Sequence, residues 1–385
     1  MGAAIACAAL ACALFSPAVG QAAPTAQAQA AAAGPMGGNG MWIWYVSRSS
    51  GGNVDAIAAR AKLSGIKTVF IKSGDASHVW TQFNPALVAA LHARGLRVCA
   101  WQFIYGTAPL AEADVGAASV AAGADCLVLD VEGQYEGKYS SADRFMTSLR
   151  SKIGNAYPVG LASFPYVDYH PGLPYSVFLN PGNGAQVNLP QMYWKAIGTS
   201  ITTVFSHTFQ MNGVYGRPIA PLGQTYMAPK PKQLRKFRGW SARYGGVGVS
   251  WWSWQETARK SWKALRARPI LPRQIQPPVL YPTLKSGSKG DLVVWAQEHL
   301  VGAGFAVPVT GTYASITASY VRSFQATRGL PQTGIIDAVT WPSLLSVAPS
   351  YVAWGASTRS SLGASAPESA TLPSRFEIPA RFQQG

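Results

Sequence analysis

The segment Ala124-Asp125-Cys126-Leu127-Val128-Leu129-Asp130-Val131-Glu132-Gly133 is a short apolar run that ends in two acids. Four apolar residues in five positions predict a buried strand. Because side chains alternate along a strand, Asp130 and Glu132 should point to the same side, with their α-carbons about 7 Å apart. Two carboxylates at the exit of a buried strand are costly to desolvate, which favours a chemical role. The alternative is a strand-end aspartate followed by a solvated loop acid.

Strands and helical stretches alternate on both sides of this segment. The other predicted strands cover residues 41–45, 68–72, 98–105, 159–164, 187–194, 218–226 and 247–254. Strands that alternate with helices indicate a parallel sheet. Eight such units in about 230 residues match the size of a (β/α)8 TIM barrel. An open doubly wound sheet is the alternative, but no glycine-rich phosphate loop follows the first strand.

Composition divides the 385 residues into six predicted segments. They are a signal peptide (1–23), a disordered segment (24–39), the barrel (40–268), a proline-rich linker (269–283), a small all-α domain (284–347) and a disordered tail (348–385). The apolar run of the signal ends in a small-residue cleavage region, although no lysine or arginine precedes it. The run is too short for a confident membrane span, so we expect a secreted protein.

The chain is strongly basic, with 32 Lys+Arg against 16 Asp+Glu and a formal net charge of +16. This balance favours an anionic partner. No arginine-rich arm, zinc-finger spacing or helix-turn-helix pattern supports nucleic acid. Few acids and many aromatic residues fit sugar binding better. A basic cluster predicts a solvated helix face that could also contact anionic wall polymers, namely Lys230, Lys232, Arg235, Lys236 and Arg238.

Four cysteines are present, and two of them, Cys7 and Cys12, fall in the predicted signal. Cys99 and Cys126 lie on adjacent predicted strands. We predict that they are buried as small hydrophobic residues, with a disulfide as the alternative. No cysteine or histidine has metal-ligand spacing, so the sequence predicts no metal or cofactor.

The carboxyl ends of the predicted strands carry mostly aromatic and amide side chains. Active sites of such barrels lie at this end. We therefore predict a groove that stacks sugars and hydrogen-bonds their substituents. Its candidate residues are Trp44, Tyr45, Trp101, Tyr105, Gln191, Trp194, Gln224, Tyr226, Trp252 and Trp254. We expect Trp42 and Trp251 to pack against loops, and Lys72 to lie at the rim or pair with Asp75.

The 284–347 segment resembles the small helical peptidoglycan-binding domain found at the ends of bacterial wall hydrolases. The matching motif begins with Leu284-Lys285-Ser286-Gly287-Ser288-Lys289-Gly290-Asp291-Leu292-Val293. It continues through Trp295, Gln297, Leu300, Phe324-Gln325, Thr333-Gly334 and Thr340-Trp341. The resemblance implies attachment to the wall glycopeptide. A helical module adapted to another partner is the alternative.

The barrel segment resembles family 18 (chitinase-like) glycoside hydrolases. Asp125, Asp130 and Glu132 match three of the four acids in the signature D-x-x-D-x-D-x-E, and Val128 replaces the fourth. Gln191-Met192-Tyr193 resembles the sugar-binding strand of that family. The resemblance implies that Glu132 is the general acid/base, that Asp130 orients the acetamido group of the substrate, and that Tyr193 holds its oxygen.

Family 25 lysozymes also carry D-x-E on the fourth strand. They have an aspartate on the first strand, where this chain has Met41-Trp42-Ile43-Trp44-Tyr45. Both families act beside N-acetylated sugars, so we expect a secreted, wall-associated hydrolase of the peptidoglycan glycan backbone. Two alternatives stay open: a non-catalytic peptidoglycan-binding protein with a degenerate barrel, and an enzyme on a different glycan that is anchored to the wall.

Overall fold

The computed structural model describes residues 33–272 and 281–354. The predicted signal peptide (1–23) lies outside the described residues, and so do Cys7 and Cys12. The same holds for residues 24–32 and for residues 273–280 of the predicted linker. Residues 355–385 of the predicted tail are also outside.

One sheet organises the first described range. Its strands are β1 (Gly38–Ile43), β2 (Thr68–Asp75), β3 (His78–Val79), β4 (Arg97–Ile104), β5 (Cys126–Val131), β6 (Val159–Ser163), β7 (Val187–Pro190), β8 (Leu222–Gln224) and β9 (Gly248–Trp252). Their order is β7-β6-β5-β4-β2-β1-β9-β8, with parallel neighbours throughout, while β3 forms an antiparallel hairpin with β2. Bridges from Asn188 to Ile219 and from Gln191 to Leu222 bring β7 to β8. The eight parallel strands form a nearly closed barrel, which confirms the predicted (β/α)8 fold.

Helices surround this barrel. They are α1 (Val54–Leu63), α2 (Pro85–His92), α3 (Pro109–Ala121), α4 (Tyr139–Ile153), α5 (Tyr175–Phe178), α6 (Trp194–Ile197), α7 (Ile201–Asn212), α8 (Pro231–Arg243) and α9 (Arg259–Arg266). Helices α1, α2 and α7 start after the N-cap residues Asn53, Asn84 and Ser200. The side chains of these residues accept hydrogen bonds from backbone N–H groups in the first turns. Within residues 33–272 and 281–354, no helix combines the length and the apolar character that a membrane crossing requires.

Strand alternation separates the barrel interior from its outer wall. On β5, Cys126 and Val128 lie in the interior cluster, whereas Leu127, Leu129 and Val131 lie in the cluster shared with the helices. The same alternation points Asp130 inward. The interior is filled largely by aromatic rings. Trp42 lies 5.1 Å from Phe70, 5.6 Å from Trp101 and 5.8 Å from Trp252, measured between ring centroids.

Residues 33–39, which the composition placed in a disordered segment, are ordered at the amino-terminal end of the barrel. Ala33 and Met36 are buried and belong to the interior cluster. Thr68 donates a hydrogen bond to the Pro35 carbonyl, and Arg97 donates one to the Gly37 carbonyl. This short segment therefore covers the end of the barrel that lies opposite the acids.

Cys99 and Cys126 form a disulfide, which corrects the prediction of two free thiols. The two residues are register partners on the neighbouring strands β4 and β5, and their α-carbons lie 4.6 Å apart. Adjacent strands alone did not indicate a disulfide, because pairing requires that the cysteines lie opposite each other and point to the same face. Both conditions hold here in the barrel interior.

The second described range folds into a small helical domain. Its helices are α10 (Asp291–Gly302), α11 (Ser315–Thr327) and α12 (Thr340–Leu345). Backbone bridges from Leu284 to Ile336 and from Lys289 to Thr312 tie the connecting loops together. The side chain of Gln297 holds the loop at Thr310 and Gly311 through their backbone N–H groups.

The helical domain docks on the barrel through α10. The connection between β6 and β7 holds a short 3₁₀ helix (Val167–Tyr169) and the four-residue helix α5, and α10 packs against both. Buried apolar residues of the two domains form one continuous cluster. Gly290 makes the close approach feasible, because it has a φ of +101° and a Cβ there would lie 2.7 Å from the Pro171 oxygen. The helical domain thus covers the part of the barrel wall next to the β6–β7 connection, whereas longer helices cover the wall elsewhere.

A buried carboxylate fixes this contact. Asp291 accepts hydrogen bonds from the hydroxyls of Tyr139 (2.9 Å), Ser176 (2.7 Å) and Tyr215 (2.7 Å), and from the Ser176 N–H (2.8 Å). Trp295 also donates its indole N–H across the interface, to the Val214 carbonyl at 2.8 Å. Burial raises the pKa of Asp291 to about 6, although these donors oppose the rise.

The first residues of the predicted tail also pack on the barrel. Trp354 is buried with its ring 4.5 Å from that of Tyr139, and Tyr351 donates a hydrogen bond to Asp143. Residues up to Trp354 therefore form a short packed segment, which corrects the predicted start of the disordered tail at residue 348.

Candidate active site

The two acids of the quoted segment meet at the mouth of the barrel. Asp130 and Glu132 are both buried, with 3% and 6% of their surfaces exposed. The side-chain amide of Gln191 donates to Asp130 Oδ1 at 2.9 Å and to Glu132 Oε1 at 3.0 Å. The two bonded oxygens therefore lie no more than about 6 Å apart. Gln191 directly follows β7, so a strand two places from β5 in the sheet positions both carboxyl groups.

The environment favours a proton on this pair. Burial and the neighbouring charge of Glu132 raise the pKa of Asp130 well above its usual range. The positive charge of Lys72 and the hydrogen bond from Gln191 act in the opposite direction. Two carboxyl groups this close and this buried cannot both ionise without strong repulsion. A shared proton is the condition that a general acid requires.

Lys72 is the cation of the site. It is buried on the inner face of β2 and ion-paired with Asp75. Its ammonium also lies over the rings of Trp44, Trp80 and Trp101, at 5.1, 4.4 and 5.0 Å from their centroids. The expected pairing with Asp75 is therefore present, but the ammonium is enclosed rather than at the rim.

Three tyrosines surround the acids. Burial raises the pKa of Tyr105 to about 12, and its neighbour Asp75, which is also hydrogen-bonded to it, adds to the rise. Burial raises the pKa of Tyr193 well above its usual range, and the neighbouring Tyr226, Asp130 and Glu132 add to the rise. Tyr193 and Tyr226 meet edge to face at 5.5 Å. All three therefore keep their hydroxyl protons at neutral pH and can donate hydrogen bonds.

Aromatic rings form one wall of the mouth. Trp44 stacks on Tyr45 at 5.6 Å, and both rings are partly exposed. Behind them, Trp252 lies 5.8 Å from Trp44 and 5.3 Å from Trp101. Trp101 is held by its indole N–H, which donates to the Ile43 carbonyl. Partly exposed, rigid rings above buried ones can stack on the apolar face of a sugar.

Three predicted sugar-binding residues lie elsewhere. Trp194 is buried in the outer layer against Phe237, and Trp254 is buried there against Trp262. The strands end before both residues, so alternation no longer predicts where their side chains point. Gln224 is fully buried, and its amide bonds the backbone of Tyr226, Lys195 and Ala196. It holds the loop that carries Tyr193.

The remaining signature acid lies at the other end of the strand. Asp125 precedes β5, where it accepts a hydrogen bond from the Val98 N–H and contacts His92. Val128, in place of the missing acid, is fully buried in the interior cluster. Asp130, Glu132 and, on β2, Asp75 therefore supply acidic groups at the mouth. Glu256 lies close enough to Tyr226 to add to the rise in its pKa that burial causes.

Sequence reasoning missed several features of the site. Gln191 was expected to bind sugar, and its position between two carboxyl groups was not foreseen. Trp80 was not a candidate, because it follows the short hairpin strand β3, which has no periodic signal. The peptide between Trp252 and Ser253 is cis, which no sequence pattern indicated. Among the described residues, no group of three or more His, Cys, Asp or Glu side chains could hold a metal ion.

Comparisons with known proteins identify the small domain. Residues 289–344 match the family model of a putative peptidoglycan binding domain. A search of curated protein sequences finds no significant match to the chain.

Solved structures with similarity to this chain include a spore cortex-lytic enzyme, a chitinase and a mannanase. The spore cortex-lytic enzyme SleL of Bacillus cereus aligns with a TM-score of 0.43 and 10% identity, covering 62% of this chain and 75% of that one. The catalytic domain of a Pyrococcus furiosus chitinase gives 0.43 and 11%, covering 59% and 92%. An endo-1,4-β-D-mannanase of Thermotoga petrophila gives 0.43 and 10%, covering 56% and 88%.

Proposed function

We propose that this protein is a secreted, wall-associated glycoside hydrolase that cleaves the N-acetylated glycan backbone of peptidoglycan. One observation carries the proposal: Asp130 and Glu132, buried together on one amide of Gln191, lie at the mouth of an aromatic-walled barrel. Glycoside hydrolysis uses a pair of acids in this way. The peptidoglycan-binding match at residues 289–344 supports the choice of substrate.

The proposed reaction begins with Glu132, which donates its proton to the glycosidic oxygen as the bond to the anomeric carbon breaks. The acetamido oxygen of the same sugar forms a bond to that carbon. Asp130 orients the acetamido group and balances the charge that develops on its nitrogen, and Tyr193 donates a hydrogen bond to its oxygen. Water then attacks the anomeric carbon as the bond between that carbon and the acetamido oxygen breaks, and Glu132 takes up the proton of that water. No enzyme nucleophile is needed.

A non-catalytic wall-binding protein is the second candidate. Val128 favours it, because an apolar side chain stands where the family 18 signature has an acid. In that case the barrel would bind an N-acetylated glycan without cleaving it.

A substrate panel separates these possibilities. The full-length protein would be incubated with purified peptidoglycan, chitin oligomers and mannan, and new reducing ends would be measured, with mass spectrometry of the soluble products. We expect release from peptidoglycan. Release from chitin or mannan alone would point to an enzyme on a different glycan. Full sedimentation with the wall and no release from any substrate would favour the non-catalytic candidate.

The pH profile of the reaction should respond to Lys72. Its charge lowers the pKa of Asp130, so Lys72→Met should raise that pKa and let the acid pair keep its proton to higher pH. We therefore expect the alkaline limb of the rate profile to move to higher pH. Lys72→Arg retains the charge and is the matched control. An alkaline limb that moves to lower pH in Lys72→Met would contradict this account of the pair.

A further inference from the structure

A basic groove runs along the outer wall of the barrel between α8 and α9. It has a volume of about 750 Å3, and its lining includes Arg235, Arg259, Lys260 and Lys263 together with small apolar residues. Residues 231–268 hold ten of the 32 lysines and arginines of the chain, but only one acid, Glu256. About a tenth of the sequence thus carries nearly a third of its cations.

Acids are scarce in the sequence around these cations. Ion pairs such as Lys72–Asp75 and Lys152–Asp114 lie on other elements. Arg235 instead donates to the Arg268 carbonyl, which holds it at the groove. Arg259, Lys260 and Lys263 are exposed along one helix. Clustered like charges repel one another, and a bound polyanion relieves that repulsion.

The position of the groove connects it to the active site. Helices of a β/α barrel run antiparallel to its strands, so α8 and α9 begin at the end where the strands finish. Pro231 and Arg259, the first residues of these helices, therefore lie at the end of the groove nearest the acids. A polymer in the groove would approach the rim of the mouth.

The lining favours one class of polyanion. It contains no aromatic ring on which nucleic acid bases could stack. Its apolar residues are proline and alanine within a concave surface, whereas membrane-binding surfaces present large apolar side chains to the bilayer. We infer that this groove binds a linear phosphodiester polymer of the cell wall, through Arg235, Arg259, Lys260 and Lys263. The site is separate from the acids, so it stands independently of the proposed hydrolysis.

Direct binding tests the inference. The full-length protein would be titrated with deacylated poly(glycerol phosphate), which contains no glycosidic bond between N-acetylated sugars, at two salt concentrations. We expect saturable binding that weakens with salt, and a loss of ~10-fold or more in affinity in the triple variant Arg259→Gln, Lys260→Gln, Lys263→Gln. Thermal unfolding would verify that the variant is folded.

A charge-matched control makes the test specific. Lys62→Gln, Lys67→Gln, Arg144→Gln removes three exposed cations elsewhere on the barrel and should change the affinity less than twofold. Equal weakening in both triple variants, or no binding by the unmodified protein, would overturn the inference. So would tighter, groove-dependent binding to a DNA duplex or to phosphatidylglycerol vesicles. Hydrolysis plays no part in these measurements, so their failure leaves the proposed function untouched.

Discussion

Glu132→Gln is expected to lower the rate of reducing-end release from peptidoglycan by about 10³-fold or more, since general acid–base catalysis contributes roughly 10²–10⁴-fold. The amide cannot protonate the leaving oxygen, but its size is unchanged. Its oxygen can still accept the bond from Gln191 that Glu132 accepts at 3.0 Å, so the mouth should keep its shape. Initial rates at several pH values, together with wall sedimentation, would separate lost chemistry from lost binding.

Glu136→Gln is the matched control for this variant. Glu136 lies four residues further along, is exposed and is paired with His170. The same chemical change there should leave the rate within about twofold, as is usual for surface substitutions. If both Glu132→Gln and Glu136→Gln retained the rate of the unmodified protein, the assignment of Glu132 as the general acid would be wrong.

Asp130→Asn should also lower activity, but it tests a different role. The asparagine can still accept the Gln191 bond through its oxygen, yet it carries no charge to balance a developing cation. Loss of rate with unchanged wall binding would support the stabilising role proposed for Asp130.

The barrel and the placement of its acids were predictable because they depend on local patterns. Strands that alternate with helices specify a parallel sheet, and the period of two along β5 points Asp130 inward without knowledge of the rest of the chain. Prediction weakened where these patterns stop. Trp194 and Trp254 follow strand ends, and both turned out to pack in the outer layer.

Features that depend on register or on distant contacts could not be read in advance. Cys99 and Cys126 pair because β4 and β5 align them, and strand order alone does not fix that alignment. Gln191 follows β7 and reaches both acids of β5 across β6, a contact that depends on strand order. The role of Asp291 could not be read from local sequence either. An acid at the first position of a helix predicts a favourable interaction with the helix dipole, but no local pattern indicates that the residue is buried in an interface.

Asp291→Ala is expected to uncouple the two domains. The change leaves the hydroxyls of Tyr139, Ser176 and Tyr215 and the Ser176 N–H without their acceptor at a buried surface. Loss of a partner for buried polar groups costs about 1–3 kcal/mol for each group, so several kcal/mol of interface free energy should be lost. We expect one cooperative calorimetric transition for the unmodified protein and two separate transitions for the variant.

Asp337→Ala supplies the comparison within the same domain. Asp337 lies three residues before α12, where its side chain accepts bonds from the N–H groups of Val339 and Thr340 in the manner of a helix cap, far from the Asp291 contact in sequence. Loss of such a cap costs about 1 kcal/mol, so the transition should move slightly and stay single. Amide exchange at Ser176 gives a local readout, since its N–H should be protected in Asp337→Ala and exposed in Asp291→Ala. A single unshifted transition in Asp291→Ala would mean that the apolar contacts of α10, Trp295 foremost, hold the domains together without the carboxylate.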